Sequence, residues 1–110
     1  MTTYADQRPT HVRVLGRNYS LLFDHDDPDE CGKCEVPDHE INIRDGMPPV
    51  EEADTVLHEV MHAVWEHMDI GYRKVEESVV RKLATGLTQV FQDNPALVQY
   101  LVDAGAHQQS

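Results

Sequence analysis

Five consecutive residues, His58-Glu59-Val60-Met61-His62, form an H-E-x-x-H, the most specific chemical pattern in this chain. In a helix each residue advances the chain by about 100°, so His62 returns to the face of His58 one turn further on. Two imidazoles stacked this way can hold one metal ion, and neutral imidazole suits Zn2+. Glu59 points about 100° away from His58, beside the open coordination position. There its carboxylate is placed to act as general base on a water activated by the ion. A chance match in a chain of this composition is expected only about 0.035 times, so the motif carries weight before any context is added.

A catalytic zinc takes three protein ligands, so one more must come from elsewhere. The next helical segment offers Glu76 and Glu77. Its apolar residues, Val79, Val80, Leu83, Ala84, Leu87, Val90 and Phe91, span about 140° of the wheel, with Glu76 near the middle and Glu77 on the rim beside Arg81 and Thr88. A carboxylate at the centre of an inward face needs a partner, and a metal ion is one. A turn over residues 68–71 would set His62 about 7.5 Å back along one helix and Glu76 about 6 Å along the next, level with each other if the two pack antiparallel. Glu76 is therefore the expected third ligand, with Glu77 as the alternative.

The elements that must position these residues are readable in outline. Val12 and Val14 alternate with polar neighbours, Gly16-Arg17-Asn18 supplies turn chemistry, and residues 19–23 form a second apolar run, together a β-hairpin. Residues 24–40 read as an acidic loop in which Pro28, Gly32 and Pro37 oppose any regular element. Ile41-Asn42-Ile43 reads as a third short strand, closed by Asp45-Gly46 and Pro48-Pro49. A helix is expected from about residue 50 to 67, its positive end favoured by Glu51 and Glu52. On its wheel Val56, Leu57, Val60, Met61, Val64 and Met68 make an apolar sector that leaves His58, Glu59 and His62 outside. A second helix is expected from about 72 to 93, and Asn94-Pro95 opens a third that ends before Gly105. The expected fold is α+β: one domain spanning residues 1–110, with a small antiparallel or mixed sheet of about three strands on the motif helix and an antiparallel second helix. Residues 1–10 are expected to be a loose leader and 106–110 a tail.

Composition narrows the partners. Twenty Asp and Glu against nine Lys and Arg leave a net charge of −11. Residues 24–40 hold eight acids and the single Lys33, or −7. Such a chain is a poor direct binder of nucleic acid or anionic membrane. No apolar run approaches the roughly 20 residues of a membrane span, and the first residues resemble no secretory signal, so the expected compartment is the cytoplasm.

The stretch 55–65, preceded by Ile41-Asn42-Ile43 and followed by residues 76–84, resembles a very small zincin metallopeptidase of the gluzincin kind. It is similar to phage and prophage proteins related to the ImmA/IrrE, SprT-like and minigluzincin groups, over about half of the chain. The resemblance implies a minimal zincin-like fold, one zinc ion on His58, His62 and Glu76, and Glu59 as general base. It also implies a peptide or protein substrate along Ile41–Ile43 as an edge strand, and a phage-encoded protein acting in a bacterial host cell.

Other residues could contribute. Tyr72 and Tyr100 could supply a phenol to an oxyanion. Cys31 and Cys34 form a C-x-x-C without a second pair, readable as a redox site, as an accessory metal site with His25 or His39, or as two ordinary thiols in a turn. Asp24 to Glu35 fails as an EF-hand at Pro28 and Asp29, leaving at most a looser cation site. The expected function is zinc-dependent peptide hydrolysis, with basic segments drawn as substrates by the acidic loop. The alternative is a non-catalytic acidic protein with a structural zinc that captures a basic partner or mimics nucleic acid.

Overall fold

The computed structural model describes residues 7–108. Four strands, β1 (His11–Val14), β2 (Arg17–Leu22), β3 (Gly32–Glu35) and β4 (Glu40–Ile43), precede three helices, α1 (Pro49–His67), α2 (Arg73–Asp93) and α3 (Pro95–Gln108). The fold is α+β, and no helix among the described residues is long and apolar enough to cross a membrane.

The sheet order is β1-β2-β4-β3. β1 and β2 form the expected antiparallel hairpin, β2 and β4 run parallel, and β4 and β3 are antiparallel. One face of the alternating strands supplies Val14, Tyr19, Leu21, Ile41 and Ile43, all buried against Ala63 of α1. Val56, Val60 and Val64 pack beside them. Of the expected apolar stripe of α1, Val56, Val60 and Val64 thus face the core, whereas Leu57 and Met61 do not join that cluster, Met68 falls at the C-cap and is exposed, and Glu59 is buried as well.

The acidic segment departs from expectation. It contains a strand, β3, between Gly32 and Glu35, so the sheet has four strands rather than about three. Four residues fit between the glycine and Pro37, and Cys34 alone turns a side chain toward the core, a signal too short to rise above the surrounding charge. β4 is consequently interior, with partners on both sides, and β3 is the edge. Gly32 is required where β3 meets α1. A Cβ there would lie 3.0 Å from Thr55 Cγ2, 3.1 Å from the Asn42 carbonyl and 3.1 Å from Ile43 Cδ1. Gly32→Ala is expected to destabilise the fold by about 1–3 kcal/mol through overpacking, measurable by urea unfolding.

Helices α1 and α2 are joined by a turn in which Asp69, Gly71 and Tyr72 all have positive φ, and Trp65 Nε1 donates to the Gly71 carbonyl at 2.6 Å. On α2 the buried residues are Val80, Ala84 and Thr88, whereas Leu83, Leu87 and Val90 are exposed. The arc that faces α1 is therefore rotated from the one expected, toward the side that carries Glu77 and Arg81. Helix α3 continues through Gly105 to Gln108 instead of stopping before it.

The N-terminal segment also differs from a loose leader in its described part; residues 1–6 lie outside the described residues. Arg8 lies over the Phe23 ring at 4.2 Å, and its guanidinium donates to Glu52 at 2.5 and 3.1 Å and to Asp45 at 2.9 Å. Glu52 is 1% exposed, in phase with Val56 and Ala63 on the inward stripe of α1. The same guanidinium holds the Asp45 carboxyl below the usual carboxylate range.

Candidate metal centre

Helix periodicity brings His58 and His62 together as the motif requires, with their Nε2 atoms 3.1 Å apart. Both side chains are mostly buried, in the wall of a cleft of about 790 Å3 between β3, α1 and α2. Burial pushes the His58 imidazole below its ordinary pKa, which favours the neutral, metal-binding form.

The two glutamates of α2 are placed differently from expectation. Glu77 meets both motif nitrogens, with Oε1 at 3.0 Å from His58 Nε2 and Oε2 at 3.0 Å from His62 Nε2. His58, His62 and Glu77 are the group whose ligand atoms converge here. Glu76 does turn inward, its side chain 17% exposed, but its Oε2 lies 2.7 Å from His62 Nδ1, on the far side of the imidazole from the convergence point. The rotation of α2 explains the difference. With Val80, Ala84 and Thr88 at the centre of the contact, Glu77 stands on the arc facing α1 and Glu76 at its margin. The apolar arc misled because it included Leu83, Leu87 and Val90, which the described residues leave exposed.

The donor set fits zinc. Ligand atoms about 2.0–2.1 Å from a tetrahedral ion stand about 3.3 Å from one another, close to the separations here. Two neutral imidazoles and one carboxylate form a ligand set known for zinc with an open position. An Nδ1–H donating to Glu76 would hold the His62 Nε2 lone pair toward the ion. Glu76→Gln is expected to weaken zinc binding about 10- to 100-fold, as loss of an outer carboxylate does, and Glu77→Gln to weaken it more. Zinc titration of the two variants reads the order directly.

Glu59 is 7% exposed and lines the same cleft. Burial, together with the negative charges of Glu77 and Glu30, pushes its carboxyl up to about 7 against the opposing charge of His62. The tyrosines are placed elsewhere. Tyr72 is 80% exposed at the start of α2 and Tyr100 69% exposed on α3, and neither lines the cleft. Arg81 lines it instead, one helical turn beyond Glu77. Its position on the α1-facing arc was not separable from the rim of the sequence wheel.

Cys31 and Cys34 also line the cleft, on and just before β3. Cys31 lies in the bend before β3 and Cys34 within the strand, both are free thiols, and no helix starts here to activate either, so the redox reading of the pair finds no support among the described residues. Neither thiol belongs to a converging ligand group among the described residues. Burial, then the charges of Glu59, Glu35 and Glu76, pushes the Cys34 thiol up to about 12. Cys34 is thus held as the protonated, poorly nucleophilic thiol. Iodoacetamide is expected to modify exposed Cys31 first and Cys34 only on unfolding, as followed by mass spectrometry.

Comparisons with protein-family models, with curated proteins and with solved structures find no match for this chain.

Proposed function

We propose that this protein is a zinc-dependent metallopeptidase, with zinc held by His58, His62 and Glu77, and Glu76 orienting His62. The observation that carries the proposal is the convergence of His58 Nε2, His62 Nε2 and the Glu77 carboxylate at 3.0–3.1 Å beside a buried glutamate that is not part of that group. Zinc, when bound, supplies the Lewis acidity that activates water and polarises a carbonyl. Glu59 accepts the proton of the attacking water and returns it to the leaving amine. The walls of the cleft hold the peptide and limit its exposure to solvent.

The substrate strand differs from the one implied by the resemblance. β4, which contains Ile41–Ile43, has its hydrogen-bonding edges taken by β2 and β3, so it cannot receive a peptide. β3 has an unpaired edge and contributes Gly32, Lys33 and Cys34 to the cleft, where an extended segment can add as a further strand. Asp29, Glu30 and Asp54 line the same cleft beside Arg81, while its other two cations are paired, Lys33 with Glu35 at 3.0 Å and Arg73 with Glu66 at 3.1 Å. This charge balance favours basic peptide segments.

A capture protein braced by a structural zinc fits less well. The ligands line an open cleft, and the buried residues of α2 include Val80 and Ala84, side chains that need no ion. Metal-stripped protein is expected to stay folded by circular dichroism and to regain peptide cleavage when zinc is restored. Unfolding on metal removal, without cleavage on restoration, would favour the capture reading.

A further inference from the structure

The loop between β2 and β3 holds a second group of convergent ligands. β2 and β4 are parallel and β3 lies outside β4, so the chain must cross the C-terminal end of β4 to begin β3. That crossing is clamped from below. His25 N donates to the Ile43 carbonyl, Arg44 N donates to the Cys31 carbonyl, and Arg44 NH2 donates to the carbonyls of Asp27, Pro28 and Glu30 at 2.9, 3.1 and 2.9 Å. Ligand atoms of His25, Asp27 and Glu30 lie within 4.8 Å of one another.

The second observation is His25 itself. Its Nε2 is buried with no hydrogen-bond partner, one of two such side-chain atoms among the described residues. His25 as a whole is half-buried, and a buried ring nitrogen without a partner is unfavourable; a metal ion bound through it would supply the missing partner. The two nearby cations are engaged elsewhere: Arg44 with the three carbonyls, Lys33 with Glu35.

We propose that His25, Asp27 and Glu30 form a second divalent-metal site, of the transition-metal type that zinc exemplifies, which fastens the acidic crossing to the sheet. Calcium is a poorer fit, because it takes six to eight oxygens. The backbone carbonyls that a calcium loop would offer are those already held by Arg44. One imidazole and two carboxylates match zinc instead. Glu30 and Asp29 line the metal cleft, so an ion here would steady one of its walls and offset part of its negative charge.

The test is zinc stoichiometry of the full chain without an affinity tag, by calorimetric titration and elemental analysis. Two ions per chain are expected for the wild type, one for His25→Ala and one for His58→Ala. Glu30→Gln, at an exposed position, should weaken the second site at least tenfold without touching the fold. A wild type that binds one ion, retained by His25→Ala and lost by His58→Ala, would overturn this site and leave the metallopeptidase reading standing. One ion lost only by His25→Ala would do the reverse. Displacement of the second zinc by equimolar calcium would also overturn the assignment.

Discussion

Glu59→Gln is expected to lower kcat for peptide hydrolysis by about 10²- to 10⁴-fold, the usual worth of a positioned general base, while leaving zinc content unchanged. Glutamine keeps the size of the side chain and its hydrogen-bonding oxygen but cannot accept the proton of water. The substitution also removes a carboxylate that is 7% exposed, so it should not destabilise the fold. Because Glu59 is not part of the converging group His58, His62 and Glu77, the variant should titrate with zinc like the wild type. A wild-type kcat in a zinc-loaded Glu59→Gln protein would assign the proton transfer to another group. Peptide kinetics and elemental analysis on one preparation separate loss of the base from loss of the metal.

Arg8→Ala is expected to cost about 3–5 kcal/mol, because it leaves a charge at Glu52 buried without its partner. Glu52 has 2% of its side chain exposed, and Arg8 is its ion-pair partner. The guanidinium also ties the segment before β1 to Asp45 and to the Phe23 ring, so stacking and a second ion pair are lost with it. For a domain of this size the expected fall in Tm is at least about 10 °C. Replacing both partners, as Arg8→Met with Glu52→Leu, should recover most of the loss, since a buried pair exchanged for apolar groups is often neutral. A loss below about 1 kcal/mol in Arg8→Ala would show that the N-terminal segment does not brace α1. Urea unfolding of the single and double variants decides between these outcomes.

Where local chemistry dominates, the structure was legible in the chain. Pro49 and the first-turn acids mark the start of α1, and the 3.6-residue period places Val56, Val60 and Val64 on the core and stacks His58 on His62. The hairpin of β1 and β2 follows from alternation and a glycine turn. What was not legible depends on contacts between distant segments. β3 is four residues long and acquires its strand character from β4 and from the close approach of Gly32 to Thr55. The choice between Glu76 and Glu77 turns on the rotation of α2 about its axis, and an amphipathic wheel cannot define that angle when its apolar arc is wider than the contact it makes. Thr88, polar yet buried, lies at the centre of that contact, while Leu83 lies outside it. Glu52 was readable in principle, since it is in phase with the core stripe, but its place in the first turn offered a sufficient reason for a carboxylate there.

Peptide hydrolysis is decided by incubating the zinc-loaded protein with a panel of unstructured peptides, acidic, neutral and basic, in 18O-labelled water. Cleavage is expected, fastest for the basic peptides. Each new C-terminus should carry 18O, and cleavage should disappear on metal removal and in Glu59→Gln. A protein with zinc bound at His58 and His62 that leaves every peptide intact would contradict the proposed hydrolysis.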